Sequence, residues 1–290
     1  MPGRRVDVGE VRLAVREAGA GGEPVVLLHG FPETSRSWRH QLPALAEAGF
    51  HAVAPDLRGY GRSDRPSAVE DYAFPKLLGD VAGLIGALGH GSAHVVGHDW
   101  GGALAWVLAA QRPELVRTLT ILNAPQPQVS GRARRSDPEQ QRKSWYMLLF
   151  QFPGVAETWL SADDFANLRR FVFDTAPPEA FPPDERERFV AELAADGALT
   201  AALNWYRANM PPAAWLRDPP DPAPVTVPTL IIWGEGDAYL DTVLLEGSAA
   251  TVTGPLRVER LPGVSHWVQQ EAPDRVNELL VGFLSAHRAA

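Results

Sequence analysis

The stretch Ala93-His94-Val95-Val96-Gly97-His98-Asp99-Trp100-Gly101-Gly102-Ala103-Leu104-Ala105 decides the fold. Ala93–Val96 is a short apolar run without polar alternation, as a strand buried on both faces requires. From Gly101 the chain turns to small helix-forming residues and holds that character to Gln111. Strand, tight turn and helix in immediate succession put the residue at the turn, Asp99, above the sheet and at the positive end of a helix dipole. Glycines at 97 and 101 permit a strained turn and a close helix–strand approach.

The same alternation extends in both directions. Val11–Glu17, Val25–Leu28, Ala52–Pro55 and Leu119–Leu122 read as further strands, with helices predicted at Ser37–Ala48, Pro75–Leu88 and Gly101–Gln111. The runs VVLL, HVV and TLTIL are continuous and apolar, so the sheet is expected to be mostly parallel with helices on both faces. The pattern resumes with strands at Thr229–Trp233 and Leu256–Leu261 and a final helix from about Ala272 to His287, which carries Val276, Leu279, Leu280 and Phe283 at helical spacing. Between Leu122 and Thr229 no strand is legible. Thirteen of the 25 aromatic residues fall there, punctuated by paired prolines. A βα crossover is far shorter than this, so the segment reads as an inserted, mainly helical cap over the C-terminal edge of the sheet, where open α/β sheets bind ligands. The expected organisation is a first core segment over residues 1–124, the cap over 125–224, and a second core segment over 225–290.

Composition narrows the chemistry. The 290 residues are 45% hydrophobic and 21% charged, with 27 Lys+Arg against 35 Asp+Glu and a net charge of −8. That balance disfavours nucleic acid as a partner. The basic run Arg132, Arg134, Arg135, Arg142 and Lys143 is broken by acidic residues and a proline, and reads as a solvated loop. The absence of cysteine removes disulfides, thiol nucleophiles and cysteine-ligated metals. His90 and His94 straddle a loop and a strand, so no metal is expected. No run approaches the length of a membrane span, and the basic N-terminus lacks the apolar stretch of a secretory signal, which makes a cytoplasmic location the expectation.

Asp99 occupies the place of the serine in a serine hydrolase. A carboxylate opens ordinary esters poorly, but it can displace a leaving group from saturated carbon and form an alkyl–enzyme ester. Its partners come later in the chain in the order nucleophile, acid, histidine. Trp233-Gly234-Glu235-Gly236-Asp237 comes directly after a strand, and Asp237, at the apex of the turn, is the expected acid, with Glu235 the alternative carboxylate. The other acid position, after Leu119–Leu122, holds Asn123, which is no carboxylate. His266, after the turn Pro262-Gly263-Val264-Ser265, would bond the acid through one ring nitrogen and aim the other at water. His29-Gly30-Phe31-Pro32 comes after the strand VVLL. Its turn would set the Phe31 N–H beside that of Trp100 as an oxyanion hole, with Phe31–Pro32 a candidate cis bond and His29 supporting the loop.

Together HGFP at 29–32, DLRGYGRSDRP at 56–66, GHDWGG at 97–102, WGEGD at 233–237 and SHW at 265–267 resemble the α/β-hydrolase fold family and, within it, the epoxide hydrolases. The resemblance runs along nearly the whole chain. Two cap segments sharpen it: YMLLFQFPGVAE from Tyr146 and LNWYR at 203–207 are similar to the stretches that carry the two epoxide-binding tyrosines of that family, which implies that role for Tyr146 and Tyr206. The chemistry demands such groups, because a departing alkoxide must be protonated or hydrogen-bonded as it forms. The resemblance implies hydrolysis of a small-molecule epoxide by water to a vicinal diol, without cofactor or metal. Phe31, Trp100, Trp205 and Trp267 are further pocket candidates. A haloalkane or haloacid dehalogenase shares the fold and the aspartate but needs N–H donors for halide, and it leaves the paired tyrosines without a use. A ligand receptor on the same fold would have no need of a matched nucleophile and base. Oligomeric state is not legible.

Overall fold

The computed structural model describes residues 4–289. Eight strands, β1 (Arg4–Asp7), β2 (Arg12–Ala18), β3 (Pro24–Leu28), β4 (His51–Pro55), β5 (Ala93–His98), β6 (Val116–Leu122), β7 (Thr229–Gly234) and β8 (Leu256–Leu261), form one sheet in the order β1-β2-β4-β3-β5-β6-β7-β8. β2 is antiparallel to both its neighbours, and every pairing from β4 through β8 is parallel. The expected mostly parallel sheet is therefore correct, with β1 an addition. Four residues, three of them charged, carry no periodic signal, and β1 forms because β2 offers it an edge.

The strands show why their runs lack alternation. Val25 and Leu27 of β3 face a core shared with Trp38, Leu42, Leu45, Leu280 and Phe283, whereas Val26 and Leu28 face a second core shared with Leu84, Leu104 and Trp106. Successive side chains point to opposite faces, and each face is covered by helices, so both must be apolar. Each such Val or Leu contributes about 1.5–3 kcal/mol on burial. Helices α1 (Gln41–Glu47) and α12 (Pro273–Ser285) cover the first face; α2 (Phe74–Ala87) and α3 (Asp99–Gln111) cover the other.

Three expectations are corrected in detail. The helix expected over Ser37–Ala48 is a 3-10 turn, Ser35–Trp38, followed by α1. The Thr34 side chain caps the turn, and Pro43, which has no N–H to donate, is tolerated only within the first turn of α1. The C-terminal helix ends at Ser285 rather than His287 and is preceded by a separate turn of helix, α11 (Val268–Glu271), because Pro273 cannot continue it. The basic run is no loop. It forms α4 (Pro127–Ser136) and α5 (Pro138–Lys143): Gln126 caps the first, the Asp137 carboxylate accepts from Gln140 N at 2.7 Å to cap the second, and Pro138 opens a helix rather than interrupting one.

Those two helices begin an insert between β6 and β7 that continues through α6 (Trp145–Leu149), α7 (Val155–Phe173), α8 (Pro183–Ala194) and α9 (Ala198–Asn209); α10 (Thr242–Ala249) comes after β7. α7 is broken midway, with Asp163, Asp164 and Phe165 in left-handed conformation. The insert's buried residues Tyr146, Phe150, Leu203 and Trp205 belong to the same core as β3 and β5, so the insert is packed onto the sheet and not only onto itself. Polar clasps hold its rim. Trp205 Nε1 donates to Arg58 O at 3.0 Å, Arg65 donates to Asp196 O at 2.6 Å, and Asn209 accepts from Phe74 N at 2.8 Å. No helix among the described residues is long and apolar enough to cross a membrane.

Candidate active site

Asp99 stands at the junction of β5 and α3 with φ of +49°, in the left-handed region that a non-glycine residue enters at a cost of about 1–3 kcal/mol. Close packing holds it there. A Cβ on Gly101 would lie 2.2 Å from the Leu28 carbonyl oxygen, and one on Gly30 would lie 2.3 Å from Asp99 Cβ. Glycine at both positions lets α3 and the β3 loop close on the turn from two sides. The Phe31 N–H donates to Asp99 Oδ1 at 2.8 Å. Phe31–Pro32 is cis, as anticipated. His29 supports this loop, accepting from Leu57 N at 3.0 Å while its other nitrogen bonds Gly30 O at 2.9 Å.

The opposite oxygen, Asp99 Oδ2, lies 3.9 Å from His266 Nε2, and His266 Nδ1 is 2.7 Å from Asp237 Oδ2. Of the two carboxylates of the acid loop, Glu235 points to the surface and pairs with Arg260 at 3.0 Å, while Asp237 is buried against the imidazole. Asp237 accepts three further hydrogen bonds, from Tyr239 N at 2.7 Å, Leu240 N at 2.9 Å and Asn123 Nδ2 at 2.7 Å. Burial alone would raise its pKa, but the His266 charge and these donors outweigh it and hold the carboxyl below the ordinary aspartate value. For His266, burial works downward and is overcome by Asp237, then Asp99, so that its pKa is raised to about 9.

Asn123 is a residue that sequence reasoning set aside. It cannot be the acid, yet from the end of β6 its amide donates to both Asp237 and Gly234 O and accepts from Gly234 N at 2.7 Å, locking the acid loop. Its position directly after a strand was the available signal. A second set that the sequence did not suggest lies beneath the histidine. His98 Nε2 donates to the His266 carbonyl at 2.9 Å, and His98 Nδ1 faces Glu33 at 3.3 Å. Glu33 is fully enclosed, with donors from Ser37, Gln269 and Gln270 at 2.8–3.0 Å. Burial raises its pKa, and His98 with these donors more than reverses that.

Tyr146 and Tyr206 come from the insert with their rings 6.1 Å apart, Tyr206 lining one cavity with Asp99. Burial, then neighbouring negative or phenolic groups, pushes both hydroxyls well above the ordinary tyrosine value, so each remains a proton donor throughout the physiological range. Their setting is aromatic, with Phe31, Phe150 and Trp100 packed edge-on around Tyr206 at 5.0–5.3 Å. A cavity of about 100 Å³ opens beside Tyr206, walled by Asp99, Trp100 and Tyr206 together with Met147, Leu240 and Arg134, with Tyr146 one layer behind it. Of the four residues expected in the pocket, Trp100 lines it, whereas Phe31, Trp205 and Trp267 do not reach its wall; Phe31 is packed against Phe150 and Tyr206. Trp205 is fully buried against Trp100, 5.8 Å between rings, and Trp267 packs behind His266 at 4.8 Å and bonds Thr175. Both are held back because their indole N–H groups find partners in the scaffold.

With Asp99 3.9 Å from the buried His266–Asp237 pair, the chain can be set beside known proteins. The family model described as alpha/beta hydrolase fold matches residues 23–273. The chain is 37% identical to epoxide hydrolase A of Mycobacterium tuberculosis, over 97% of each protein. Among solved structures, an epoxide hydrolase of Bacillus megaterium in complex with an inhibitor superposes with a TM-score of 0.87 at 33% identity, covering 97% of this chain and 100% of that one. A mutant of the same enzyme, complexed with its naphthyloxy-propane-diol product, matches equally, with a TM-score of 0.87. This chain belongs to the α/β-hydrolase fold family, in its epoxide hydrolase branch.

Proposed function

We propose that the protein hydrolyses epoxides to vicinal diols in two steps through a covalent ester on Asp99. The reading is carried by the pairing of Tyr146 with Tyr206, which shares a cavity with Asp99, an aspartate that already has a His–Asp pair at 3.9 Å. The oxirane oxygen is held by the two hydroxyls while Asp99 attacks one ring carbon from the opposite side. The C–O bond breaks, and the alkoxide takes its proton from a tyrosine, whose own raised pKa keeps it protonated until an oxygen of much higher basicity forms.

Hydrolysis of the ester falls to His266, oriented by Asp237. In the resting state His266 is raised to about 9 by three carboxylates, Asp237 foremost, then Asp99 and Glu33. Esterification converts Asp99 from an anion into a neutral group, so the first step itself lowers the basicity of His266 and favours the unprotonated imidazole needed to take a proton from water. Water then adds to the ester's carboxyl carbon. The Phe31 N–H, which meets Asp99 Oδ1 at 2.8 Å, is placed for the oxyanion, and the Trp100 N–H at the first turn of α3 is its expected companion. One such donor is worth roughly 3–4 kcal/mol in the transition state. Collapse of the intermediate breaks the ester C–O bond, the departing alkoxide takes the proton of the added hydroxyl, and the diol leaves; the proton held by His266 returns through solvent to the tyrosinate, so that Asp99, His266 and the tyrosine are all restored. That a Bacillus megaterium relative is complexed with a vicinal diol product supports the same outcome.

The test is turnover of styrene oxide and 1-bromobutane side by side, with diol and bromide measured separately. Diol without bromide is expected. Bromide without diol would replace this reading by a dehalogenase in which Trp100 holds the halide, and silence on both would remove the hydrolase assignment.

A further inference from the structure

The basic run at the start of the insert contains one cation unlike its neighbours. Arg132 pairs with Asp221, Arg135 with Asp218 at 2.8 Å, Arg142 with Glu139 and Lys143 with Asp241 at 3.3 Å. Arg134 has no carboxylate partner among the described residues. Its guanidinium bonds the Ser130 hydroxyl and lies over the Trp215 ring at 5.4 Å. Those contacts leave most of its five donors uncommitted.

Its location gives the free charge a use. Arg134 is a wall of the Asp99 cavity and also of an outer groove of about 500 Å³ bounded by Pro211, Ala214 and Arg217. Phe74, Pro127 and Asn209 are likewise common to both spaces, so Arg134 stands at the neck between solvent and the nucleophile. Desolvation lowers its pKa to about 10, which leaves it cationic at neutral pH. The walls beside it are largely apolar, with Met147, Met210 and Leu240 on the inner side.

We propose that Arg134 is a specificity-determining residue and that the site takes epoxides carrying a carboxylate on a short alkyl chain, the oxirane at Asp99 and the carboxylate on the Arg134 guanidinium. This inference rests on the epoxide hydrolase reading. An anion approaching a protein of net charge −8, with Asp99 at the floor of the cavity, is otherwise repelled. A single planar guanidinium in an apolar neck matches a planar monoanion in bidentate fashion, whereas a phosphate dianion would call for a second cation at the same depth.

The experiment compares terminal epoxides of equal chain length ending in a carboxylate or in a primary amide, with styrene oxide as the neutral reference, on the wild type, R134Q and R134K. The wild type is expected to favour the carboxylate by about 10- to 100-fold in kcat/KM, as a charge-assisted hydrogen-bonded pair confers, with the difference residing chiefly in KM. In R134Q the ratio should fall to one or below, and R134K should retain part of it. Equal turnover of carboxylate and amide by the wild type, with diol still produced, overturns the inference and leaves the function standing; so does an undiminished ratio in R134Q. Should R134Q fail to fold, the wild-type ratio and the R134K ratio decide alone. Absence of diol from every epoxide, styrene oxide included, overturns the function and the inference with it.

Discussion

Replacing Asp237 by asparagine changes one atom in the centre of the site. Asp237 Oδ2 receives His266 Nδ1 and Asn123 Nδ2, both at 2.7 Å, and Oδ1 receives Tyr239 N and Leu240 N. In Asp237→Asn the new oxygen can keep the two backbone donors, which forces the new NH2 toward His266 and Asn123. Asn123 already donates there, so two donors meet, at a cost of about 1–3 kcal/mol. Against the imidazole, the NH2 requires Nδ1 to become an acceptor, which moves the ring proton to Nε2, the nitrogen that faces Asp99. The histidine then has no lone pair for water. Loss of the Asp237 charge also returns its pKa from about 9 toward 6.5. General-base assistance is worth about 10²–10⁴-fold, and that loss should fall on hydrolysis of the ester rather than on its formation, which uses Asp99 and the tyrosines. The expected result is a burst of oxirane opening followed by turnover slowed by that factor, with intact mass spectrometry finding the protein heavier by one substrate. Rapid mixing with styrene oxide resolves the two phases. Steady-state turnover within a few-fold of wild type, or slow turnover with no mass increment, would refute the reasoning about His266 and Asp237.

The same geometry sets the outcome of other perturbations. Tyr146→Phe combined with Tyr206→Phe should lower the rate of ester formation by at least about 10²-fold, read as the burst rate, with no adduct accumulating; a fully active double variant would remove the main ground for preferring an epoxide substrate. The raised pKa of His266 contributes stability that is fully present below pH 6.5 and is lost as pH rises through about 9, amounting to roughly 3 kcal/mol. Thermal melts should therefore show Tm falling across that window in the wild type and much less in His266→Gln. Asp237, held below its ordinary value, acts in the other direction and withdraws stability only as the solution becomes acidic. Gly30→Ala would set a methyl 2.3 Å from Asp99 Cβ. It should cost about 1–3 kcal/mol of stability by overpacking and reduce ester formation more than substrate binding; unchanged kcat would show that the loop yields without disturbing Asp99.

The features that the sequence made legible share a local cause. β5 and the elbow were readable because an apolar run, a glycine-bracketed residue and a small-residue helix lie within thirteen consecutive positions, and each is a statement about neighbours along the chain. The same holds for β3, β6, β7 and α12, whose burial imposes a composition on contiguous residues. β1 escaped notice because its four residues owe their conformation to β2 rather than to their own pattern.

The elements of the site that sequence reasoning missed are relations between distant residues. Asp237 was favoured over Glu235 from its place at the apex of the turn, but the partners of the two come from the packing of the 263–265 turn over Gly234 and Gly236, with Glu235 on Arg260 and Asp237 on His266. Asn123 becomes a donor to the acid only when β6 and β7 are paired side by side. Glu33, in the loop after β3, and His98, at the end of β5, form a buried pair because the two strands are paired side by side. Arg134 looked like one more solvated charge in a polar run, since nothing in the run distinguishes it from Arg132 or Arg135. Its missing partner is a property of where α4 lies against Asp218, Asp221 and the neck of the cavity. Periodicity and turn chemistry act over a few residues, so the amino-acid sequence by itself determined the parallel part of the sheet and the elbow that carries Asp99. Electrostatic partnership acts through space, and only the tertiary structure decided that Asn123 reaches the Asp237 carboxylate and that Arg134 lies at the cavity wall without a carboxylate partner among the described residues.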